Sequence, residues 1–465
     1  MLNVIIVGAG IAGLSAAISL RRAGHCVHLY EKSSMNNEVG AAIHVPPNAA
    51  RFLTAWGLDP AQWRWVRSRR SHLIDPFTLE LKAALTDDKT ATSVGGVPLW
   101  LSHRVDLHNA LKWLATRPDG PGTPATVHLN SSVVAYDPSK PSITLATGHE
   151  IRGDLVVGAD GVHSLAADVI LGRKIEPVAP SHSNYCYRFL ISTDRLEADP
   201  ESRFFAEGCD GWTRIFPDND KRRRLVVYPC RNNTMLNFVG MLYEKDIRLD
   251  EKENWHATVD VDHVLDKFSG FDPKLLRVIS KATDIKQWPL LYRHPLPTWN
   301  RGRMTLAGDA AHPMLPLQGQ GGAQGLEDGL ALGIVLCGAK TPAEIEERLD
   351  IYYTSRHTRT SAIQVLSNVA SDETGLVSDE LRRYLSEDEI PRDFQSIMKY
   401  TFGFDVVRTT LAAMKDYDAL FKLPGDFFEG PVIGVPGSGE CSKIRVFESR
   451  NRATTETPSS SEASG

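Results

Sequence analysis

Cysteine is scarce and unpaired in this chain of 465 residues. Its six cysteines are scattered, with no C-x-x-C pair and no spacing typical of metal ligands. This pattern argues against a disulfide-stabilised scaffold and against a zinc site, so we predict no metal. Scattered cysteines are also typical of a reducing compartment, and we expect a cytoplasmic protein.

An excess of one charge and long apolar runs are lacking as well. The formal net charge is only −5, so the chain as a whole has no attraction for nucleic acid or acidic membranes. No apolar run reaches membrane-spanning length, and the chain opens without a basic segment and cleavage site. We therefore predict neither a nucleic-acid partner nor a membrane span. The sequence does not indicate the oligomeric state.

A glycine-rich turn near the N-terminus is the first motif with a chemical meaning. Gly8, Gly10 and Gly13 have the spacing G-x-G-x-x-G between a predicted strand, Asn3–Val7, and a predicted helix, Ile11–Ala23. The first glycine permits a tight turn, the second lets a pyrophosphate approach the backbone, and the third lets helix and strand pack closely. The helix N-terminus offers N–H groups to the phosphates. The motif predicts a dinucleotide site.

Glu31 follows a second predicted strand, Cys26–Tyr30, at the position where a carboxylate can accept hydrogen bonds from ribose hydroxyls. A carboxylate there disfavours a 2′-phosphate, so the site is predicted to hold FAD or NAD and not NADP. The chain has only one such fingerprint. Enzymes with two nucleotide-binding domains, such as disulfide reductases, carry two fingerprints and a redox cysteine pair, and they are disfavoured here.

The rest of the chain shows two patterns of predicted secondary structure, mixed helices and strands first and an antiparallel region later. Helices are predicted over Arg104–Leu114 and Leu326–Leu336, and buried strands over Asp154–Ala159 and Met304–Ala307. A small antiparallel meander is predicted from three short alternating segments: Val127–Leu129, Ser132–Asp137 and Ile143–Ala146. From about 177 to 290 the pattern favours an antiparallel domain, with strands at Tyr185–Ser192, Arg224–Tyr228 and Leu236–Tyr243. Residues 344–418 are predicted to be mostly helical.

Two further segments indicate whether the bound dinucleotide is FAD or NAD. One runs from Asp154 to Ser164 and contains Gly-Ala-Asp-Gly. The other runs from Arg303 to Asp328 and contains Gly-Asp-Ala-Ala-His-Pro, followed by Gly-Gln-Gly-Gly. Here the chain resembles the single-component (group A) FAD-dependent aromatic monooxygenases, the salicylate-hydroxylase-like group with its fungal secondary-metabolism branch. The resemblance covers residues 1–170 and 290–340 well and the region between them loosely. It implies tightly bound FAD and transiently bound NADPH or NADH.

The resemblance also implies the architecture. We expect an α/β fold, with a Rossmann-like FAD-binding domain, a second, mostly antiparallel sheet domain for the substrate, and C-terminal helices. The predicted parts are a discontinuous FAD-binding domain (1–75, 96–176 and 288–343), a substrate domain (76–95 and 177–287), a C-terminal helical region (344–440) and a disordered tail (446–465). The tail is rich in Ser, Thr and Glu and has almost no apolar residues.

Individual residues inherit roles from the resemblance. Asp309 would offer its carboxylate to FAD hydroxyls, Asp160 would serve both FAD and transient NAD(P)H binding, and Arg104 would reach FAD from the start of a helix. The complete set implied for cofactor binding is Gly8, Gly10, Gly13, Glu31, Ala42, Arg104, Asp160, Asp309, Pro313, Gly321 and Gly322.

Two catalytic candidates lie in the antiparallel region. Arg188 and Tyr228 match positions where some fungal relatives place an arginine that holds a phenolate and an active-site tyrosine. An arginine on an apolar strand is costly to bury without an anionic partner, which favours a functional Arg188. For Tyr228 a buried core tyrosine is the alternative. The chain also departs from the family pattern: His44 replaces the usual glutamine or similar residue, and no arginine closely follows Ser164.

The implied activity is that of an NAD(P)H-dependent monooxygenase. It would hydroxylate, or oxidatively dearomatise, an electron-rich aromatic small molecule with O2 through a flavin C4a-hydroperoxide, in fungal secondary metabolism or aromatic degradation. A flavin oxidase or dehydrogenase, an epoxidase acting on a non-aromatic substrate, and a non-catalytic flavoprotein remain alternatives. Flavin halogenases carry the signature W-x-W-x-I-P. The similar segment of this chain, around Trp212, lacks the first tryptophan of that signature, so a flavin halogenase is disfavoured.

Overall fold

The computed structural model describes residues 1–35, 41–175, 178, 184–243, 258–290 and 292–436. The strands are β1 (Asn3–Val7), β2 (Cys26–Tyr30), β3 (Ala42–Val45), β4 (Val66–Arg67), β5 (Arg70–Ile74), β6 (Leu81–Thr86), β7 (Trp100–His103), β8 (Thr126–His128), β9 (Val133–Asp137), β10 (Ser142–Leu145), β11 (Glu150–Arg152), β12 (Leu155–Gly158), β13 (Tyr185–Ser192), β14 (Trp212–Asp218), β15 (Arg223–Cys230), β16 (Met235–Leu242), β17 (Thr258–Val259), β18 (Ile285–Pro289), β19 (Asn300–Arg301) and β20 (Met304–Leu306).

The α-helices are α1 (Ile11–Arg22), α2 (Pro47–Ala55), α3 (Thr90–Gly95), α4 (Arg104–Thr116), α5 (Leu165–Leu171), α6 (Thr193–Glu197), α7 (Arg203–Ala206), α8 (Val261–Lys267), α9 (Pro273–Ile279), α10 (Gly321–Leu336), α11 (Pro342–Leu366), α12 (Ser378–Leu381), α13 (Phe394–Phe402) and α14 (Val406–Tyr417). Three short 3-10 turns cover Gly308–Ala310, Pro316–Gln318 and Thr374–Val377.

A six-stranded sheet forms the first core, in the order β19-β20-β12-β1-β2-β8. All neighbours in it are parallel except β19, which is antiparallel to β20. Parallel strands covered on both faces are apolar along their whole length, and the sequence of β1, NVIIV, has this composition. The predicted Rossmann-like fold is confirmed.

The strand β8 corrects one detail of the prediction. It pairs in parallel with β2 and does not belong to an antiparallel meander. The meander in this region consists of β9, β10 and β11, and a second antiparallel three-stranded sheet has the order β3-β7-β4. An alternating pattern identifies a strand, but a strand of three residues carries too little pattern to specify its neighbour.

An eight-stranded sheet forms the second core, in the order β17-β18-β13-β16-β15-β14-β5-β6. Its pairs are antiparallel apart from β14 and β5. One face, with Tyr187 and Phe189, packs with Phe268 and Leu275 from the α8–α9 region. The opposite face packs with residues of β3 and β7, including Leu101, and so faces the first part of the chain. The predicted second, mostly antiparallel sheet is confirmed.

The division into domains stays a prediction. The strand β5 lies before the predicted boundary at residue 75, and it pairs in the eight-stranded sheet. The predicted disordered tail, 446–465, lies outside the described residues. The predicted helical region after residue 344 contains α11 to α14. Within the described ranges, no helix combines the length and apolar character needed to cross a membrane.

Helices α1 and α10 pack unusually close together. A Cβ on Gly329 would lie 2.4 Å from the Ala16 backbone nitrogen, and one on Gly333 would lie 2.4 Å from the Ser19 Cβ. The Ser15 hydroxyl also donates to the Leu326 carbonyl at 2.8 Å. Only glycine permits this approach, which brings the N-termini of both helices to one side of the six-stranded sheet.

Candidate cofactor and substrate site

The turn between β1 and α1 uses its three glycines differently. Gly8 has φ +97°, and a Cβ there would lie 2.3 Å from the Ala159 carbonyl oxygen. A Cβ on Gly13 would lie 2.0 Å from the Gly8 carbonyl oxygen, whereas one on Gly10 would meet nothing within 4 Å. Gly8 and Gly13 thus make the turn compact, and Gly10 leaves open space in front of the N-terminus of α1. No side chain caps this helix, so a pyrophosphate fits there.

Glu31 ties the end of β2 to this turn. Its Oε2 accepts the Ala9 N–H at 2.9 Å, and its Oε1 accepts the Ser33 N–H at 2.8 Å. A carboxylate has about four acceptor positions, so each oxygen can still accept a hydrogen bond from a ribose hydroxyl.

Asp160, just after β12, has a different environment. Its Oδ2 accepts the Tyr136 hydroxyl at 2.9 Å and the Ala166 N–H at 3.1 Å, and its Oδ1 accepts the Ser164 hydroxyl at 2.5 Å. Burial, followed by the charge of Asp160, raises the pKa of the Tyr136 phenol well above its usual range. The Asp160 carboxylate therefore binds the β9 strand and the start of α5, and a role toward a nucleotide would have to share these oxygens.

Asp309 lies at the end of β20, in a 3-10 turn, with its side chain exposed. The surrounding protein partly desolvates the carboxyl and raises its pKa, while positive charges that include Arg104 act in the opposite direction. Arg104 is the first residue of α4, and its N–H donates to the Ala41 carbonyl at 2.8 Å. The structure thus places Arg104 near enough for its charge to act on Asp309, although the two residues are distant in sequence.

Asp328 of α10 forms hydrogen bonds with both ends of the segment from Gly308 to His312. Asp328 accepts the Gly308 N–H at 2.9 Å and a hydrogen bond from the His312 ring. Burial favours a neutral Asp328, but His312 and Arg356 outweigh it and lower the pKa of the carboxyl to about 2. Asp328 is therefore ionised and fixes the loop that follows β20.

The start of α10 lies against β3. A Cβ on Gly322 would come within 2.7 Å of the Ile43 side chain, and one on Gly321 would meet only Met314, at 3.9 Å. The Pro313 carbonyl, in the loop before α10, accepts a hydrogen bond from Gln364 at 3.0 Å. No side chain caps the N-terminus of α10, which leaves it suitable for the electron-rich edge of a flavin ring.

Four side chains gather around one residue of β3. Ala42 donates its N–H to the Asn237 amide oxygen at 3.0 Å, and its carbonyl accepts the Tyr228 hydroxyl at 2.9 Å. The same carbonyl lies 3.5 Å from an Arg188 Nη2, at the edge of hydrogen-bonding distance. The structure therefore brings together Ala42, Arg188 and Tyr228, which the sequence assigned separately to the cofactor and the substrate.

His44 is the fourth side chain of this group. Its ring lies 4.6 Å from the Tyr228 ring, centroid to centroid. Burial, with the nearby charge of Arg188, lowers the pKa of His44 to about 4, so the imidazole is neutral at physiological pH. Burial raises the pKa of the Tyr228 phenol to about 12, against the opposing charge of Arg188. Arg188 is thus the cation of a cluster whose other members are uncharged.

Three nitrogens of this cluster are shielded from solvent and have no hydrogen-bond partner in the described part of the chain: His44 Nε2, Arg188 Nε and Asn237 Nδ2. Buried polar atoms are normally paired, so a ligand with oxygen acceptors would complete the cluster. The sequence did not single out Asn237, although a polar residue within the apolar run of β16 is a usable signal.

Two arginines of α11 also escaped the sequence reasoning. Arg356 and Arg359, one helical turn apart, bind the adjacent carboxylates Glu327 and Asp328 of α10. The available signal was a pair of acidic residues inside an otherwise apolar helix, since buried carboxylates require cationic partners.

Comparisons with known proteins agree with this geometry. Residues 140–367 match the model of an FAD binding domain, and residues 6–43 match that of an NAD(P)-binding Rossmann-like domain. The chain is 51% identical over 426 residues to the FAD-dependent monooxygenase cfoG of Aspergillus candidus, covering 92% of this chain and 98% of that protein. It is 34% identical over 368 residues to hispidin-3-hydroxylase of Neonothopanus nambi, covering 77% and 86%.

The fold has a close counterpart among solved structures. The crystal structure of CtdE in complex with FAD and a substrate matches with a TM-score of 0.73 and 22% identity, covering 90% of this chain and 99% of that one. At this identity the likeness concerns the fold.

Proposed function

Because this chain belongs to the FAD-dependent monooxygenases, we propose that it uses NADPH or NADH and O2 to hydroxylate, or oxidatively dearomatise, an electron-rich aromatic small molecule. The observation that supports this substrate class is Arg188. Its guanidinium is half-buried on an apolar sheet face and has no ion pair within the described residues. A cation in such a place is stabilised by an anionic partner. An ionised hydroxyl on an aromatic ring supplies that charge.

A phenolate is also the form of a phenol that reacts best with an electrophilic oxygen atom. By pairing with the oxygen of the ring, Arg188 would hold the substrate in its ionised form and fix its orientation. Tyr228, neutral and held by the Ala42 carbonyl, would form the wall beside this oxygen. Neither residue would need to change its own protonation state during the reaction.

FAD, when bound, supplies electron transfer and oxygen activation. The residues of the chain would bind and orient it. Gly10 and the N-terminus of α1 would face the pyrophosphate, and Glu31 the ribose. Asp309, Arg104 and the start of α10 would face the flavin end. β3 connects this part with the substrate part, because Ile43 lies against Gly322 while Ala42 contacts Tyr228 on the sheet. The source of the 51%-identical relative, a fungus, supports a role in fungal secondary metabolism or aromatic degradation.

The proposal is tested by NAD(P)H oxidation with the purified protein and a panel of phenols, aromatic acids and indoles. We expect at least one ionisable phenol to accelerate oxidation and to yield a product one oxygen atom heavier. The ultraviolet spectrum of the product would then distinguish a phenol from a dearomatised ketone. Peroxide without product, or acceleration only by non-aromatic alkenes, would contradict the proposal.

The role of Arg188 is tested separately with Arg188→Met. We expect the dissociation constant of the active phenol to rise about 10- to 100-fold, as for loss of a charge-assisted hydrogen bond. A matched control is Arg224→Met, which removes a cation from β15, two strands away in the same sheet, where the cation already has Asp372 as its partner. If both variants weaken binding equally, the general charge of the sheet is responsible and not Arg188.

A further inference from the structure

A buried cluster of charges connects α11 with the loop after β20. Arg356 is fully buried; its Nε donates to Asp328 Oδ1 at 2.9 Å, and its Nη2 donates to the Gln324 side chain at 2.9 Å. Its Nη1 pairs with Glu327. The guanidinium therefore uses all of its nitrogens on α10, within the first turns after the helix N-terminus.

Asp328 links Arg356 to the segment Gly308–His312, which contains the proposed FAD ligand Asp309. Its Oδ1 is bound by Arg356, whereas its Oδ2 accepts the Gly308 N–H and the His312 ring nitrogen. Gly308 and His312 are the two ends of the segment that contains Asp309. One carboxylate thus connects the arginine on one side with both ends of this segment on the other.

Two arginines, Arg356 and Arg359, bind the two carboxylates of the cluster, Glu327 and Asp328. Arg359 binds Glu327 through two hydrogen bonds of 3.0 and 3.1 Å. Among the described residues, Arg356 is the guanidinium that binds Asp328. Loss of Arg356 would leave the buried Asp328 carboxylate without its arginine and with the His312 ring as its remaining side-chain partner among the described residues. The negative charge next to the Gly308–His312 segment would then be less fully balanced, and such a charge acts strongly over short distances in a low-dielectric interior.

We propose that Arg356 is a positioning residue of the flavin site: it holds Asp328, and through it the Gly308–His312 segment, and it balances the negative charge of Asp328 beside this segment. The inference concerns the cofactor, so it is independent of the aromatic substrate proposed above. Arg356 does not touch the substrate and takes no part in proton transfer.

The sign of the flavin midpoint potential tests this proposal. In Arg356→Gln, Asp328 loses its arginine and keeps the His312 ring. The less fully balanced carboxylate disfavours an additional electron, so the flavin potential becomes more negative and FAD binds at least about tenfold more weakly. In Asp328→Asn the same negative charge is removed, so the potential becomes more positive. Arg356→Lys retains the charge and restores the potential to near the wild-type value.

Arg348 provides the matched control. It lies on the same helix and is also buried, but it binds the carbonyl oxygens of Val335 and Cys337 at the opposite end of α10. Arg348→Gln should lower the melting temperature and leave the potential unchanged. Equal shifts in Arg348→Gln and Arg356→Gln, or shifts of the same sign in Arg356→Gln and Asp328→Asn, would overturn the proposal. If Arg356→Gln does not fold, the sign measured for Asp328→Asn decides.

Discussion

The ring of His44 leans on the ring of Tyr228, with 58° between their planes, and its Nε2 has no hydrogen-bond partner among the described residues. We expect this nitrogen to bind an oxygen of the substrate. His44→Phe keeps the ring contact and removes the nitrogen, so the dissociation constant of the most active phenol should rise about tenfold, as for loss of one hydrogen bond. Titration followed by the flavin absorbance spectrum measures it.

The complementary variant is His44→Gln, which returns a polar group and should recover part of the affinity. FAD content should stay the same in both proteins. Unchanged phenol binding in His44→Phe would show that the imidazole serves only as packing against Tyr228.

The two aspartates assigned to the cofactor should behave differently. Asp160 binds Tyr136, Ser164 and the start of α5, so Asp160→Asn should lower the free energy of unfolding by about 1–3 kcal/mol and leave most of the FAD bound. Asp309 is an exposed residue, and Asp309→Asn should lose FAD with little change in the stability of the FAD-free protein. The melting temperature and the ratio of flavin to protein absorbance measure the two effects. Loss of FAD from a well-folded Asp160→Asn would assign that carboxylate to the nucleotide instead.

The packing of α1 on α10 should not tolerate a methyl group. In Gly329→Ala the new Cβ would lie 2.4 Å from the Ala16 nitrogen, so the helices must move apart. We expect a loss of about 1–3 kcal/mol in unfolding free energy, as for an overpacked core, together with weaker FAD binding. Urea unfolding and flavin fluorescence measure these changes. Gly375→Ala, where a Cβ meets nothing within 4 Å, serves as the control and should match the wild type.

His25 should make the protein sensitive to acid. Its Nδ1 accepts the Leu2 N–H at 3.2 Å and its Nε2 donates to the Leu336 carbonyl at 2.9 Å, an arrangement that requires the neutral ring. Burial lowers its pKa to about 4. Between pH 6.5 and 4 the unfolded chain therefore binds a proton that the folded chain does not bind. Stability rises with pH across this window and is lost as the pH falls through it, by about 3 kcal/mol at most.

His25→Gln should reduce this slope, measured as the urea midpoint at a series of pH values. The slope will not vanish, because burial also lowers the pKa of His44 and of His103 to about 4, and both residues change the stability in the same direction. An unchanged slope in the variant would mean that the pKa of His25 is the same in the folded and the unfolded chain.

Local patterns explain how much of the fold was predictable. β1, β2 and β13 have the predicted bounds, because each is a run of apolar or alternating residues closed by turn residues. The glycine turn was also readable, since its spacing is imposed by one short βαβ unit. The neighbour of β8 was not, because pairing depends on residues far along the chain.

In the site, too, local features were predictable from the sequence and long-range pairings were not. Arg188 could be singled out because a cation on an apolar strand is unusual by itself. The pairing of Arg356 with Asp328 could not be predicted. An acidic residue inside the apolar helix α10 signals that a cationic partner is needed, but not which one, because only packing of α11 on α10 joins the two residues. The contacts of Asp160 with Tyr136 were hidden for the same reason.

The close fit of α1 and α10 also determines when the binding site can exist during synthesis. Ser15 and Leu326, which are hydrogen-bonded to each other, lie 311 positions apart. A ribosome therefore releases the glycine turn and the first helix long before the helix against which they pack. Contacts between residues so far apart in the chain form late in folding. During synthesis, the apolar surface of α1 therefore stays uncovered until α10 has been made. Capture of the flavin is consequently one of the last steps in the maturation of the protein, and fragments that end before residue 321 should emerge colourless.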